Sequence, residues 1–125
     1  MPYLVQTHAS GGTIHSWELG QEPKLFGRGD DAQVKIDDQE MSRHHFEIQF
    51  NNGAHHVVDQ NSTNGTWVNG RRVGSLRLNA NDKIRAGKSH FTYHVGTATI
   101  MGIAEKAMGQ SFKDQLKNIY DDVQS

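Results

Sequence analysis

The sequence contains no cysteine, which excludes disulfides, thiolate zinc sites and cysteine nucleophiles. It also lacks an excess of charge of either sign: 13 Lys and Arg face 14 Asp and Glu, for a formal net charge of −1. A protein that holds nucleic acid through a broad electrostatic footprint carries a clear basic excess, so that class is disfavoured and only local basic spots remain. No run approaches the roughly eighteen apolar residues of a membrane span. The opening stretch MPYLVQTHASGG has neither a basic n-region nor an apolar h-region, so no signal peptide is expected. There is no internal repeat and no low-complexity segment. These absences leave a soluble, cytoplasmic protein as the expectation. At 125 residues it is one domain with room for an appendage, long enough to bury a core without staples.

From Tyr3 to Val95 the chain reads as short strands cut by turns. YLVQTH, TIHSWEL, KLFGR and VKI come first, then FEIQF, in which Phe46, Ile48 and Phe50 alternate with Glu47 and Gln49 as in a half-buried strand. Asn51-Asn52-Gly53 is a hairpin signal, and HHVVD returns from it. TWV runs into Asn69-Gly70, a second two-residue turn signal, and RRV, LRL, KIRA and HFTYHV complete the set. About eleven strands with turn chemistry every six to twelve residues predict an all-β fold, an antiparallel sandwich or barrel.

After Val95 the period changes. Apolar residues at 100, 103, 104, 107, 108, 112, 116, 119, 120 and 123 step by three and four, as on one face of a helix. Gly102 and Gly109 each weaken that helix by about 1 kcal/mol relative to Ala. The expectation is a β domain over residues 1–96 and an extension over 97–125, with an amphipathic helix over 99–125 that packs back, docks a partner or self-associates.

Three polar clusters sit at strand ends: Gly27-Arg28, Ser42-Arg43-His44-His45, and Asn61-Ser62-Thr63-Asn64-Gly65-Thr66. Loops of a sandwich gather at the two ends of its sheets. If these three share an end, Arg28, Ser42, Arg43, Thr63 and Asn64 surround one shallow patch that is rich in donors and has no carboxylate at its heart. Its natural complement is a compact dianion such as a phosphate. A phosphorylated side chain carries about −1.5 to −2 charge at pH 7 and three strong acceptor oxygens. Three or four charge-assisted hydrogen bonds at about 1.5–3 kcal/mol each leave micromolar affinity after ordering costs, since 1 μM is about −8.2 kcal/mol.

The order Gly27-Arg28, then Ser42-Arg43-His44-His45, then Asn61 to Thr66, then Val68-Asn69-Gly70 resembles a forkhead-associated (FHA) domain over about residues 3–96. The resemblance implies an eleven-stranded β-sandwich that binds phosphothreonine peptides through loops at one end, recruiting the substrates of Ser/Thr kinases in signalling. It implies that Arg28 contacts the phosphate or adjacent peptide backbone, Ser42 donates its hydroxyl, Arg43 adds charge, Thr63 touches phosphate and Asn64 holds the peptide main chain. Gly27, His45 and Gly65 match architectural positions, with His45 bracing the loops; His44 falls at a variable one. Partner selectivity would vary in the loops Gly29–Ala32 and Asn69–Arg72, and a small pocket for the threonine methyl would favour threonine over serine.

Other readings compete. Eight histidines invite a metal, but His55 and His56 point to opposite faces of one strand, and His90 and His94 stand about 13 Å apart along another. Ser42 beside His44 or His45 mimics a nucleophile and its base, without an orienting acid or a nucleophile-elbow motif. No enzyme, cofactor, metal, nucleic acid or membrane partner is therefore expected. The rival function is a phosphorylation-independent scaffold using a sheet face or the C-terminal helix. A third reading has Thr97 and Thr99, once phosphorylated, entering a neighbour's site.

Overall fold

In the computed structural model the described residues are 1–95; the helix expected over 99–125, and Thr97 and Thr99, lie outside them. Eleven strands run in order: β1 (Tyr3–Thr7), β2 (Thr13–Glu18), β3 (Lys24–Gly27), β4 (Val34–Lys35), β5 (Phe46–Asn51), β6 (Ala54–Asp59), β7 (Thr66–Val68), β8 (Arg71–Val73), β9 (Ser75–Arg77), β10 (Lys83–Ala86) and β11 (Ser89–His94). They form two sheets, one ordered β2-β1-β11-β10-β7-β8 and the other β4-β3-β5-β6-β9. Tyr3–His94 form one compact unit.

The turn chemistry explains the hairpins. Asn52 and Gly53 both have positive φ (52° and 77°), as do Asn69 and Gly70 (51° and 86°). Two consecutive left-handed residues make the tight turn whose twist matches paired strands, and Asn-Gly is the pair that tolerates it. Asn51 therefore pairs with Ala54, and Val68 with Arg71.

Alternation then sets the core. Phe46 and Ile48 of β5 are buried, as are Phe26, Val57, Leu4, Ile84 and Phe91. Phe26 and Phe46 stack with centroids 4.8 Å apart, and Phe91 from the opposite sheet meets both edge-on at 5.8 and 5.4 Å. Each such pair contributes about 0.5–1.5 kcal/mol beyond burial, and together they lock the sheets face to face. Phe50 departs from the alternation: it is half-buried, packed edge-on against His55 at 5.0 Å.

One pairing differs from the antiparallel rule. β4 lies parallel to β3, with Phe26 opposite Val34 and Gly27 opposite Lys35. A parallel return usually needs a dozen or more residues; here β4 is only two residues long, so residues 28–33 suffice. That small loop is the first element of the site.

Candidate functional site

The segment Met41–His45 docks on the end of β3. The Arg28 amide donates to the Ser42 carbonyl at 3.0 Å, and the Gly29 amide to the Arg43 carbonyl at 3.1 Å. Gly27 makes this possible, because a Cβ there would coincide with the Arg43 carbonyl. The Arg28 side chain turns back and donates Nε to the Met41 carbonyl at 2.8 Å. One nitrogen thereby fixes the half-buried guanidinium, which carries four further N–H donors.

His45 joins this segment to the 60–65 loop. Its Nδ1 accepts the Ser42 amide proton at 3.0 Å, so Nε2 carries the ring proton and donates it to the Gly65 carbonyl at 2.8 Å. The ring is fully buried, and both nitrogens are satisfied by backbone. Gly65 has φ of 89°, a left-handed bend that favours glycine.

The 60–65 loop is built on Asp59, the last residue of β6. Its carboxylate accepts the Ser62 amide and hydroxyl and the Thr66 hydroxyl, while Ser62 Oγ accepts the Gly65 amide at 3.0 Å. Burial pushes the Asp59 carboxyl upward, but these donors outweigh it and hold it below the usual 3.8. With Ser62 and Thr66 turned inward, Thr63 and Asn64 are displayed outward.

Two further contacts complete the patch. The Thr63 amide donates to Ser42 Oγ at 3.0 Å, and Asn64 Nδ2 donates to the Glu40 carbonyl at 3.0 Å. Arg28, Ser42, Thr63 and Asn64 thus belong to one hydrogen-bonded set. Arg43, exposed, sits where its Cβ faces Gly29. The nearby carboxylates are engaged at the margin: Asp31 with His44 Nε2 at 2.7 Å, Glu40 with Lys88 at 3.6 Å. The His44 hydrogen bond holds the Asp31 carboxyl below its ordinary value. The open groove lined by Ile14, Trp17, Val34 and Ile36, about 500 Å³, involves none of the five predicted ligand residues.

Sequence reasoning assigns no role to Asp38 or Asp59, and reads Trp67 only as a packing or partly exposed residue of the sandwich. Asp38 is buried and accepts the amides of Glu40 (2.9 Å) and Lys88 (2.8 Å) and the Ser89 hydroxyl (2.7 Å), tying the segment before Met41 to the β10–β11 turn. Burial raises its carboxyl, and those donors bring it below 3.8 overall. The Trp67 indole N–H donates to the Asn64 carbonyl at 3.2 Å. Asp59-x-x-Ser62 was the readable signal, an aspartate capping its own turn. Among the described residues no cluster has the makings of a metal site, and no helix is long and apolar enough to cross a membrane.

The family described as FHA domain matches residues 24–87, half of the chain, from β3 through the turn after β10. The chain belongs to the FHA domain family. Its relatives include the FHA domain-containing protein FhaA of Mycobacterium tuberculosis, 38% identical over 78 residues, which are 62% of this chain and 15% of FhaA. The oxoglutarate dehydrogenase inhibitor of Corynebacterium efficiens is 36% identical over 80 residues, 64% of this chain and 56% of that protein. This FHA chain therefore spans little more than half of one relative and a small part of the other. A similar solved structure comes from a structural and functional analysis of phosphothreonine-dependent FHA domain interactions, with 34% identity and a TM-score of 0.68 over 75% of this chain and 95% of that one.

Proposed function

We propose that this FHA domain reads phosphothreonine in short segments of partner proteins, and so recruits the products of Ser/Thr kinases. The observation that carries the reading is the contact between Ser42 Oγ and the Thr63 amide. A hydroxyl that accepts from one loop keeps its own proton for an acceptor outside. Beside it stands a guanidinium already anchored at Nε, whose planar fork suits phosphate oxygens. In this reading Arg28 and Ser42 hold the phosphate, Arg43 adds charge and Thr63 contributes its hydroxyl. Asn64, with one of its two amide N–H donors given to the Glu40 carbonyl, offers its oxygen to the peptide main chain. Gly27, His45 and Gly65 support the site. Because backbone bonds fix the loops before ligand arrives, the ordering cost of binding stays small. The reader occupies residues 1–96, with 97–125 as an extension.

Recruitment rather than catalysis fits the imidazoles. Both His45 nitrogens are committed to backbone groups, and His44 Nε2 is held by Asp31, so Ser42 lacks the poised base a nucleophile needs.

Calorimetric titration with matched phosphothreonine, phosphoserine and unmodified peptides tests the reading. Micromolar binding of the phosphothreonine peptide, lost in Arg28→Ala, is expected. Equal binding of all three peptides would overturn it, and would return the scaffold alternative, which an affinity pull-down before and after phosphatase treatment identifies directly.

A further inference from the structure

The outer face of the six-stranded sheet carries a row of cross-strand neighbours that begins at the phosphate loop. Arg72 on β8 is directly opposite Trp67 on β7, Trp67 is opposite Arg85 on β10, and Arg85 is opposite His90 on β11. Side chains directly opposite one another share a face. Within the row, the Arg85 guanidinium lies over the Trp67 ring, 5.0 Å from its centroid.

Two neighbouring members of this row, Trp67 and Arg72, touch the 60–65 loop. The Trp67 indole is bonded to the Asn64 carbonyl. The Arg72 side chain lies over Gly65, so that a Cβ there would come within 2.5 Å of Nε. Gly65 thus leaves room for Arg72 as well as supplying the bend. Both arginines are exposed, and among the described residues no carboxylate pairs with either. Holding two guanidiniums on one face beside a donor-rich patch repels them mutually. The arrangement is relieved when anionic groups arrive.

We infer that the Arg72–Trp67–Arg85 row is a second binding surface, continuous with the phosphate patch, that takes an acidic stretch of the same phosphorylated partner. The inference rests on the phosphothreonine reading. Carboxylates are the chosen chemistry because each guanidinium presents a planar fork to a planar acceptor. Neighbouring strands lie about 4.8 Å apart, so the two arginines sit about 10 Å apart across the sheet, the reach of three extended residues at about 3.3 Å each. The acidic residues therefore fall some three to six positions from the phosphothreonine, beyond those that contact the loops.

The test is calorimetry with phosphothreonine peptides that carry three Glu, or three Gln, at those positions on the amino-terminal or the carboxy-terminal side. On one of the two sides, Glu peptides are expected to bind the wild type about threefold to tenfold more tightly than Gln peptides, an advantage that shrinks at high salt. In Arg72→Gln/Arg85→Gln that advantage disappears, while the Gln peptides bind as before and circular dichroism reports an unchanged fold. Phosphate-dependent binding with no Glu advantage on either side overturns the inference and leaves the phosphothreonine reading standing. A Glu advantage that survives in the double variant also overturns it. Wild-type binding that ignores the phosphate overturns both.

Discussion

Ser42 and Thr63, twenty-one positions apart, meet where the Thr63 amide donates to the Ser42 hydroxyl oxygen at 3.0 Å. The contact joins two loops and leaves the Ser42 hydroxyl proton unused by it. Its neighbours Arg28 and Asn64 are each anchored by a single bond to the carbonyls of Met41 and Glu40. The site is a set of partly used polar groups, each fixed by one partner and free toward another.

Loss of the Ser42 hydroxyl removes one charge-assisted hydrogen bond, worth about 1.5–3 kcal/mol. Ser42→Ala should therefore weaken phosphothreonine-peptide binding by roughly ten- to a hundredfold, and Arg28→Ala by at least as much. Both residues are half-buried and each makes one side-chain hydrogen bond within the fold, so thermal unfolding should shift by only a few degrees. A titration in which both variants match the wild type refutes their assignment. Wild-type affinity should also fall below about pH 6, where the phosphate gains a proton.

His45→Ala removes two hydrogen bonds and opens a buried cavity. A loss of about 2–4 kcal/mol in urea-denaturation stability is expected, with weaker peptide binding because the loops are no longer clamped together. Unchanged stability would show that the 42–45 and 60–65 loops hold their positions without the ring.

Asp59 is held below 3.8 in the folded chain, burial being outweighed by the Ser62 and Thr66 donors. A carboxyl with a depressed folded value stabilises the fold above its unfolded value, and that contribution is lost as pH falls through the folded value. The Asp59 contribution should therefore be flat above about pH 5 and decline below about pH 4. Asp59→Asn should cost about 1–3 kcal/mol at pH 7 and flatten part of the acid decline. Parallel urea titrations from pH 7 to 2.5 give the comparison; identical slopes for variant and wild type count against the role. Asp38 is held low in the same way and contributes to the same decline.

Of the two tryptophans, Trp67 is bonded to the site through Asn64, whereas Trp17 packs edge-on to Phe26 at 5.4 Å. Saturating phosphothreonine peptide should change the emission of the wild type and of Trp17→Phe, but not of Trp67→Phe. A signal that follows Trp17 instead would place the ligand elsewhere.

Much of this molecule was readable before its coordinates. Asn52-Gly53 and Asn69-Gly70 announce their hairpins because few other residue pairs accept two left-handed conformations in a row. The alternation around Phe46 marks one face for the core. The gathering of Arg28, Ser42 and Asn64 was legible only through the ordered motif, since spacing along a chain says nothing of which strand ends are neighbours. Asp38 was unreadable for a related reason: two of its three donors, from Lys88 and Ser89, come from about fifty positions away. The parallel pairing of β4 escaped because two residues carry no periodicity. Phe50 looked like core by pattern, but it lies next to the hairpin turn, where the sheet runs out of cover.

The return of β4 along β3 gives the Arg28 loop an uncommon freedom. Both of its ends are moored to the same strand, with Ile36 bonded to the Gly27 carbonyl at 2.8 Å. Insertions or replacements among Asp30, Asp31 and Gln33 can reshape what greets an incoming partner while the aromatic interior stays undisturbed.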